Sequence, residues 1–183
     1  MIELYSGTPG SGKSLHVADT MKWWLHFKGA PVIANFEFKA KACKPRKRGS
    51  YLYIPNEKLH PDVLIYFYEE YVRTFELETV AEEEILLVID ECQLLFNSRE
   101  WNKPDRKAWM SFFTQHRKLK YRVILIAQFM NMIDRQIRSV IEYEYIHRKV
   151  KNISRGALFS PFSCPFPYFM IRYVKRSEQG TPI

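Results

Sequence analysis

Cysteine is scarce in this 183-residue sequence: three residues, at positions 43, 92 and 164. Their wide spacing offers no CxxC pair and no Cys/His metal spacing, which excludes a zinc module and a disulfide-stapled scaffold. An odd, scattered set fits unpaired thiols in a reducing cytosol, and Cys92, just after an aliphatic run, reads as packing. No apolar run approaches the roughly 18 residues of a membrane span. Met1 runs directly into "IELYS" with no leader in between, so the expectation is a soluble cytoplasmic domain. Acid is scarce towards the end: residues 115–183 hold 13 Lys and Arg against 4 Asp and Glu, whereas residues 1–114 hold 15 against 16. A basic final third suits a polyanionic partner, nucleic acid or an anionic membrane, and equally a merely solvated basic face. With 46% hydrophobic and 15% aromatic residues the chain has the means to fold, and its length suits one domain over residues 1–183.

Glycine is also sparse, seven in all, yet three fall at positions 7, 10 and 12. Around them the chain reads as alternating strands and helices. "MIELYS" is a strand, 11–29 a helix, and 30–38 a second strand. Residues 39–49, "KAKACKPRKRG", form a basic loop, and 50–55 a short edge strand. Residues 61–75 are a helix opened by Pro61 and Asp62. "ILLVID" (85–90) is a continuous aliphatic run, as expected of a strand covered on both faces. A helix over 105–120 carries Trp109, Phe112, Phe113 and His116 near one side. "RVILIAQ" (122–128) is another buried strand and 134–141 a short helix. Residues 142–151 and 168–175 alternate like an antiparallel pair joined by "SPFSCPFP" (160–167). Strands alternating with helices predict an α/β three-layer fold around a mostly parallel sheet, with a C-terminal antiparallel pair.

"GTPGSGKS" meets every fixed position of G-x-x-x-x-G-K-[ST], with a strand before it and a helix after it. Small residues let consecutive backbone N–H groups curl round a phosphate, and the following helix points its positive end at the same anion. Gly7, Thr8, Pro9, Gly10, Ser11, Gly12, Lys13, Ser14 and Leu15 are therefore the nucleotide-binding candidates. Lys13 would reach the β- and γ-phosphates and Ser14 would bind Mg²⁺. The nucleotide is read as ATP, although a phosphate loop does not distinguish ATP from GTP.

Such a loop needs a second acid for the metal. "ILLVIDE" supplies Asp90 at a strand's carboxyl end, where ligands of open α/β sheets bind. Asp90 would hold Mg²⁺ and Glu91 would orient and deprotonate a water. Gln128, ending "RVILIAQ", would sit near the γ-phosphate if its strand lies between those of the phosphate loop and of Asp90. Taken singly, an Asp-Glu strand end or a strand-end Gln is an ordinary solvated cap; the set of three favours hydrolysis. A soluble phosphotransferase acting on a small metabolite is the alternative, and it would want an Arg-rich lid that is not recognisable here. A nucleotide-dependent scaffold that scarcely turns over is a third reading.

"GTPGSGKS", "ILLVIDE" and "QHRK" before "VILIAQ", in that order, resemble the zonula occludens toxin (Zot) family of filamentous-phage assembly and export ATPases. The resemblance covers residues 1 to about 150. It implies a RecA/FtsK–HerA-like P-loop ATPase with ATP and Mg²⁺, acting as a homo-oligomeric ring at the host inner membrane. Phage coat or assembly proteins and phage single-stranded DNA are the implied partners. It also implies a membrane-crossing segment, which this sequence up to Ile183 does not contain, so the chain reads as the cytoplasmic part, the alternative being a member that relies on a separate membrane partner. The toxin activity in the family's name is attributed to a segment beyond the ATPase domain and is not carried over. Oligomeric ATPases often draw an arginine from a neighbouring subunit; Arg138 is ranked first for that role, ahead of Arg135 and Arg99, although each taken singly reads more readily as an ordinary surface arginine. His116 and Arg117 could couple nucleotide state to a neighbour, or simply pack. Trp23, Trp24, Phe27, Tyr66, Phe67, Tyr68 and Tyr71 fall at helical spacings typical of core, separate from the basic loop that could meet phosphates.

Overall fold

The computed structural model describes residues 1–99 and 104–149, and the backbone of 169–175. Seven strands form one sheet: β1 (Ile2–Ser6), β2 (Val32–Ala34), β3 (Tyr51–Tyr53), β4 (Ile85–Ile89), β5 (Tyr121–Ala127), β6 (Tyr143–Lys149) and β7 (Phe169–Lys175). Their order across the sheet is β3-β2-β4-β5-β1-β6-β7. All adjacent pairs are parallel except β6 with β7. The expected terminal antiparallel pair is there, and its first arm continues the parallel sheet beside β1. The connection expected over 160–167 lies outside the described residues.

Four helices cover the faces: α1 (Lys13–Trp23), α2 (Pro61–Thr74), α3 (Arg106–Gln115) and α4 (Arg135–Val140). Every residue of β1 and β4 is buried. Side chains alternate between two cores. Ile2, Leu4, Leu87, Ile89, Val123 and Leu125 pack with α2, α3 and α4. Tyr5, Val32, Val88, Ile124 and Ile126 pack with Val17, Met21, Trp24 and Leu25 of α1 and its extension. Each fully buried aliphatic side chain contributes about 1.5–3 kcal/mol, so the central strands are the most strongly fixed part of the sheet. Cys92 is fully buried in the first core, as read from the sequence.

Several expected boundaries shift. The second strand stops at Ala34 because the Asn35 side chain turns to the end of β4 instead of extending the ladder. The first helix begins at Lys13 and its last turn widens to a π turn, Trp24–Lys28, stopped by left-handed Gly29. The 105–120 helix ends at Gln115; the next residues turn back into β5, with Lys120 left-handed at φ 58°. Against the expectation of core, Tyr66 of α2 is 62% exposed, and Trp23 and Phe27 are 50% and 64% exposed. The period of the latter two matched a buried stripe, but that stripe belongs to Val17, Met21, Trp24 and Leu25.

Candidate nucleotide-binding site

The strand order sets the carboxyl ends of β4, β5 and β1 side by side. They carry Asp90, Gln128 and the 7–14 loop, and β5 lies between the other two, the arrangement required for Gln128 to approach the same place. The Gly7 N–H donates to the Gln128 carbonyl at 3.2 Å, tying the loop's first residue to the end of β5. Gly7 sits at φ +143°, and a Cβ there would come within 2.4 Å of the His147 carbonyl oxygen and 2.8 Å of Ser11 Oγ. Gly12, at φ 94°, turns the chain into α1. Only glycine meets both demands without strain.

Between these two points the backbone is prepared for an anion. Among the described residues, no acceptor takes the amides of Thr8, Gly10 or Gly12, and the first amides of α1 have no carbonyl within the helix. Ser11 Oγ is buried with no hydrogen-bond partner. Lys13 Nζ folds back to donate to the carbonyls of Gly7 at 2.5 Å and Thr8 at 3.3 Å, closing the loop on itself. Ser14 and Leu15 stand exposed on the first turn of α1. A nucleotide phosphate fits this cradle because it supplies acceptors for the free amides and a counter-charge for Lys13.

Asp90 is half-buried, and its carboxylate accepts from the Glu91 N–H at 2.9 Å. Burial pushes its pKa above the usual carboxylate range, offset in part by that N–H and by the Lys13 charge. A divalent cation would relieve this, and the hydroxyl-plus-carboxylate set of Ser14 and Asp90 is the hard-oxygen chemistry Mg²⁺ prefers. Glu91 is left-handed at φ 45°, ψ 46°, an uncommon conformation for a non-glycine residue and one that clusters at functional sites. Its carboxylate accepts from the Gln93 side-chain amide.

Three residues here escaped the sequence reading. Asn35, at the end of β2, accepts from the Asp90 N–H at 2.7 Å and donates to the Asp90 carbonyl at 2.9 Å and to Asn56 at 2.7 Å. It holds the backbone of Asp90 in place; a polar residue closing a predicted strand was the sole signal. Asn35→Ala is expected to lower the unfolding free energy by about 1–3 kcal/mol, read by urea denaturation, because it leaves the part-buried N–H and carbonyl of Asp90 without their partner. Gln93 is the second residue. The third, His147 of β6, meets His16 of α1 with ring nitrogens 3.0 Å apart, and Tyr5 stacks on His16 at 4.6 Å.

The His16–His147 contact ties the helix behind the phosphate loop to β6. Burial lowers the pKa of both rings, and the neighbouring ring lowers that of His16 further. Below the ordinary value of 6.5 the unfolded chain takes up protons that the folded chain refuses. Stability is therefore full above about pH 6.5 and falls as the pH drops towards the lowered folded-state values. Tm measured from pH 7.5 down to 5 is expected to decline, and less steeply in His16→Phe.

The remaining candidates lie apart from the loop. Arg138, in the last turn of α4, donates to Asn131 of its own chain at 3.3 Å. Arg135 is exposed on the same helix. Arg99 lines a cavity of about 490 Å³ with Gln93, Phe129 and Met132. None of the three has a described contact with the phosphate loop, Asp90 or Glu91. His116 is buried at the opposite, amino end of the sheet, beside the Met1 ammonium at 3.0 Å and the Phe113 carbonyl at 2.6 Å. Arg117 pairs with Glu142. His116 packs at that end, while the Arg117 side chain is 71% exposed there. A further cavity of about 140 Å³, between Leu59, Phe96, Trp109, Asp134 and Ile137, includes no residue of the phosphate loop.

The sequence profile of the zonular occludens toxin (Zot) family matches residues 1–160. The Gene 1 protein of Enterobacteria phage M13 is 32% identical over 100 residues, 51% of this chain and 29% of the relative. The chain thus matches under a third of that relative's length. The Gene 1 protein of Escherichia phage If1 is 30% identical over 100 residues, 51% of this chain and 28% of the relative. Among solved structures, the genome packaging NTPase B204 of Sulfolobus turreted icosahedral virus 2, in complex with ATP-gammaS, is 14% identical. It covers 79% of this chain and 74% of its own, with a TM-score of 0.52. A KaiC-like protein of Pyrococcus horikoshii is 14% identical over 97% of this chain and 79% of its own, with a TM-score of 0.56. At such identities the two structures share the fold.

Proposed function

The chain belongs to the zonular occludens toxin (Zot) family and has the P-loop NTPase fold, and from that premise we propose that it hydrolyses ATP to drive assembly and export of a filamentous phage at the host inner membrane. The observation that carries the reading is the convergence of the glycine cradle, Asp90–Glu91 and Gln128 at three adjacent strand ends. Gly7 to Ser14 would wrap the phosphates, with Leu15 on the turn behind them. Lys13, released from the Gly7 and Thr8 carbonyls, would neutralise β- and γ-phosphate charge. Mg²⁺ held by Ser14 and Asp90 would supply fixed positive charge against the phosphate oxygens. Glu91 would take a proton from the attacking water, and Gln128 would report the loss of the γ-phosphate to β5. A base next to the metal-binding Asp suits water as the acceptor and so supports hydrolysis over transfer to a metabolite.

The relatives' phage origin supports assembly as the work that is driven. A homo-oligomeric ring, with Arg138 reaching a neighbour's site, and contacts with coat proteins or single-stranded phage DNA belong to the same proposal. Phosphate release from ATP by the wild-type chain, lost in Lys13→Ala, is the expected result. A wild-type chain that binds ATP-gammaS but releases no phosphate with Mg²⁺ under any oligomeric condition would overturn the hydrolytic reading.

A further inference from the structure

Residues 39–48 hold six Lys or Arg, and the structure packs their backbone on the end of the first helix, which carries Trp23 and Phe27. The loop returns from β2 to β3 across the π turn that ends α1. The Arg46 N–H donates to the Leu25 carbonyl at 3.0 Å, and His26 Nδ1 lies 3.1 Å and 2.8 Å from the carbonyls of Cys43 and Lys44. Glycines make the approach possible: a Cβ at Gly49 would lie 2.5 Å from the Leu25 carbonyl oxygen, and one at Gly29 2.8 Å from that of Arg46. The loop is thus held by its backbone and by Arg48, and its other five basic side chains make no described hydrogen bond or ion pair.

Lys39, Lys41, Lys44, Arg46 and Lys47 are exposed. Among the described residues, the ion pair made by this loop is that of Arg48 with Glu84, at 2.9 Å. On the helix end that the loop crosses, Trp23 and Phe27 stand one helical turn apart and 50% and 64% exposed. The His26 ring lies between Phe27, at 4.8 Å, and the loop. The acidic groups nearby are Glu37, exposed just before the loop, Asp19, one turn before Trp23 on α1, and the run Glu82–Glu84. Within that run Glu83 meets the Met1 ammonium and Glu84 meets Arg48, so most of that negative charge is already answered.

We propose that this face docks on the anionic surface of a phospholipid membrane. A cluster of four to eight Lys and Arg is the composition that anionic headgroups attract. Exposed Trp and Phe supply the amphipathic and apolar contacts of an interfacial site. A nucleic-acid strand would instead call for a groove with stacking platforms, and none of the loop's residues, Trp23 or Phe27 lines the cavities at the strands' carboxyl ends. The face also lies at the far end of α1 from the phosphate loop, so a docked chain keeps its nucleotide site open. No helix among the described residues is long and apolar enough to cross a membrane. This inference goes beyond ATP hydrolysis and does not depend on it.

Co-sedimentation with vesicles of phosphatidylcholine, with and without a third of phosphatidylglycerol, tests it. Binding is expected to the phosphatidylglycerol vesicles alone and to fade as salt is raised. Replacing Lys41, Lys44 and Lys47 together with Gln is expected to weaken it about 100-fold, at roughly fivefold per lysine. Trp23→Ala with Phe27→Ala is expected to weaken it at constant charge. The triple change Lys58→Gln, Lys107→Gln, Lys118→Gln removes the same charge from exposed sites elsewhere and should leave binding intact, with Tm checking that every variant folds. Equal losses from the two lysine triples, or no binding to phosphatidylglycerol vesicles, overturn the proposal. So does binding of a single-stranded oligonucleotide through Lys41, Lys44 and Lys47 by a chain that ignores vesicles, which would assign the face to nucleic acid.

Discussion

Glu91→Gln is expected to bind Mg-ATP as tightly as the wild-type chain while its kcat falls about 100- to 10,000-fold, the usual contribution of a positioned general base. The amide keeps the size and hydrogen-bonding reach of the side chain, including an acceptor for the Gln93 amide, so the strand end should keep its shape. What it loses is the ability to take a proton from water. Lys13→Ala should behave differently, with binding and hydrolysis lost together. Its ammonium is the cation seated on the loop, 2.5 Å from the Gly7 carbonyl, and no neighbouring cation within the described contacts replaces it. Binding of a fluorescent ATP analogue alongside single-turnover phosphate release separates the two variants. Should Glu91→Gln turn over at the wild-type rate, the base is another group, and Glu91 serves to shape the turn after β4.

The parts of this site that could be read from sequence are those where chemistry demands particular residues at fixed spacing. "GTPGSGKS" has that character because backbone must curl round an anion, and Gly7 and Gly12 do occupy conformations that other residues avoid. The aliphatic run over 85–90 reads as a central strand because both faces need covering, and β4 is buried throughout. The position of Gln128 followed only conditionally, since strand order is a property of the whole sheet and no local pattern carries it. Asn35 and His147 were illegible for a related reason. Each acts through a partner 55 or more residues away: Asp90 for Asn35, and His16, 131 residues off, for His147. Trp23 and Phe27 misled because helical periodicity shows that residues share a side without telling which side meets the sheet.

Arg122→Met is expected to cost about 3–5 kcal/mol at neutral pH, the penalty for stripping a buried charge of its partner. Glu3 lies in the middle strand region with no exposed surface. Arg122 reaches across from β5 to donate to both of its carboxylate oxygens, at 2.8 Å and 2.9 Å, while stacking over Trp24 at 5.5 Å. Tyr145 donates to the same carboxylate at 3.3 Å. Even so, burial outweighs the guanidinium and pushes the Glu3 pKa above its ordinary value. Without Arg122 nothing of comparable strength opposes that burial, so the pKa should climb further. A carboxyl raised in the folded state is fully tolerated below its unfolded pKa and costs stability as pH rises through the folded value. The deficit of Arg122→Met should therefore be smaller at pH 4.5 than at pH 7. The double variant Glu3→Leu, Arg122→Met removes both charges and fills the space with apolar side chains, which is often neutral or stabilising. Urea denaturation of the single and double variants at the two pH values reads all of this. If the double variant is as unstable as the single one at pH 7, the loss comes from packing over Trp24, and the unpaired carboxylate is not its source.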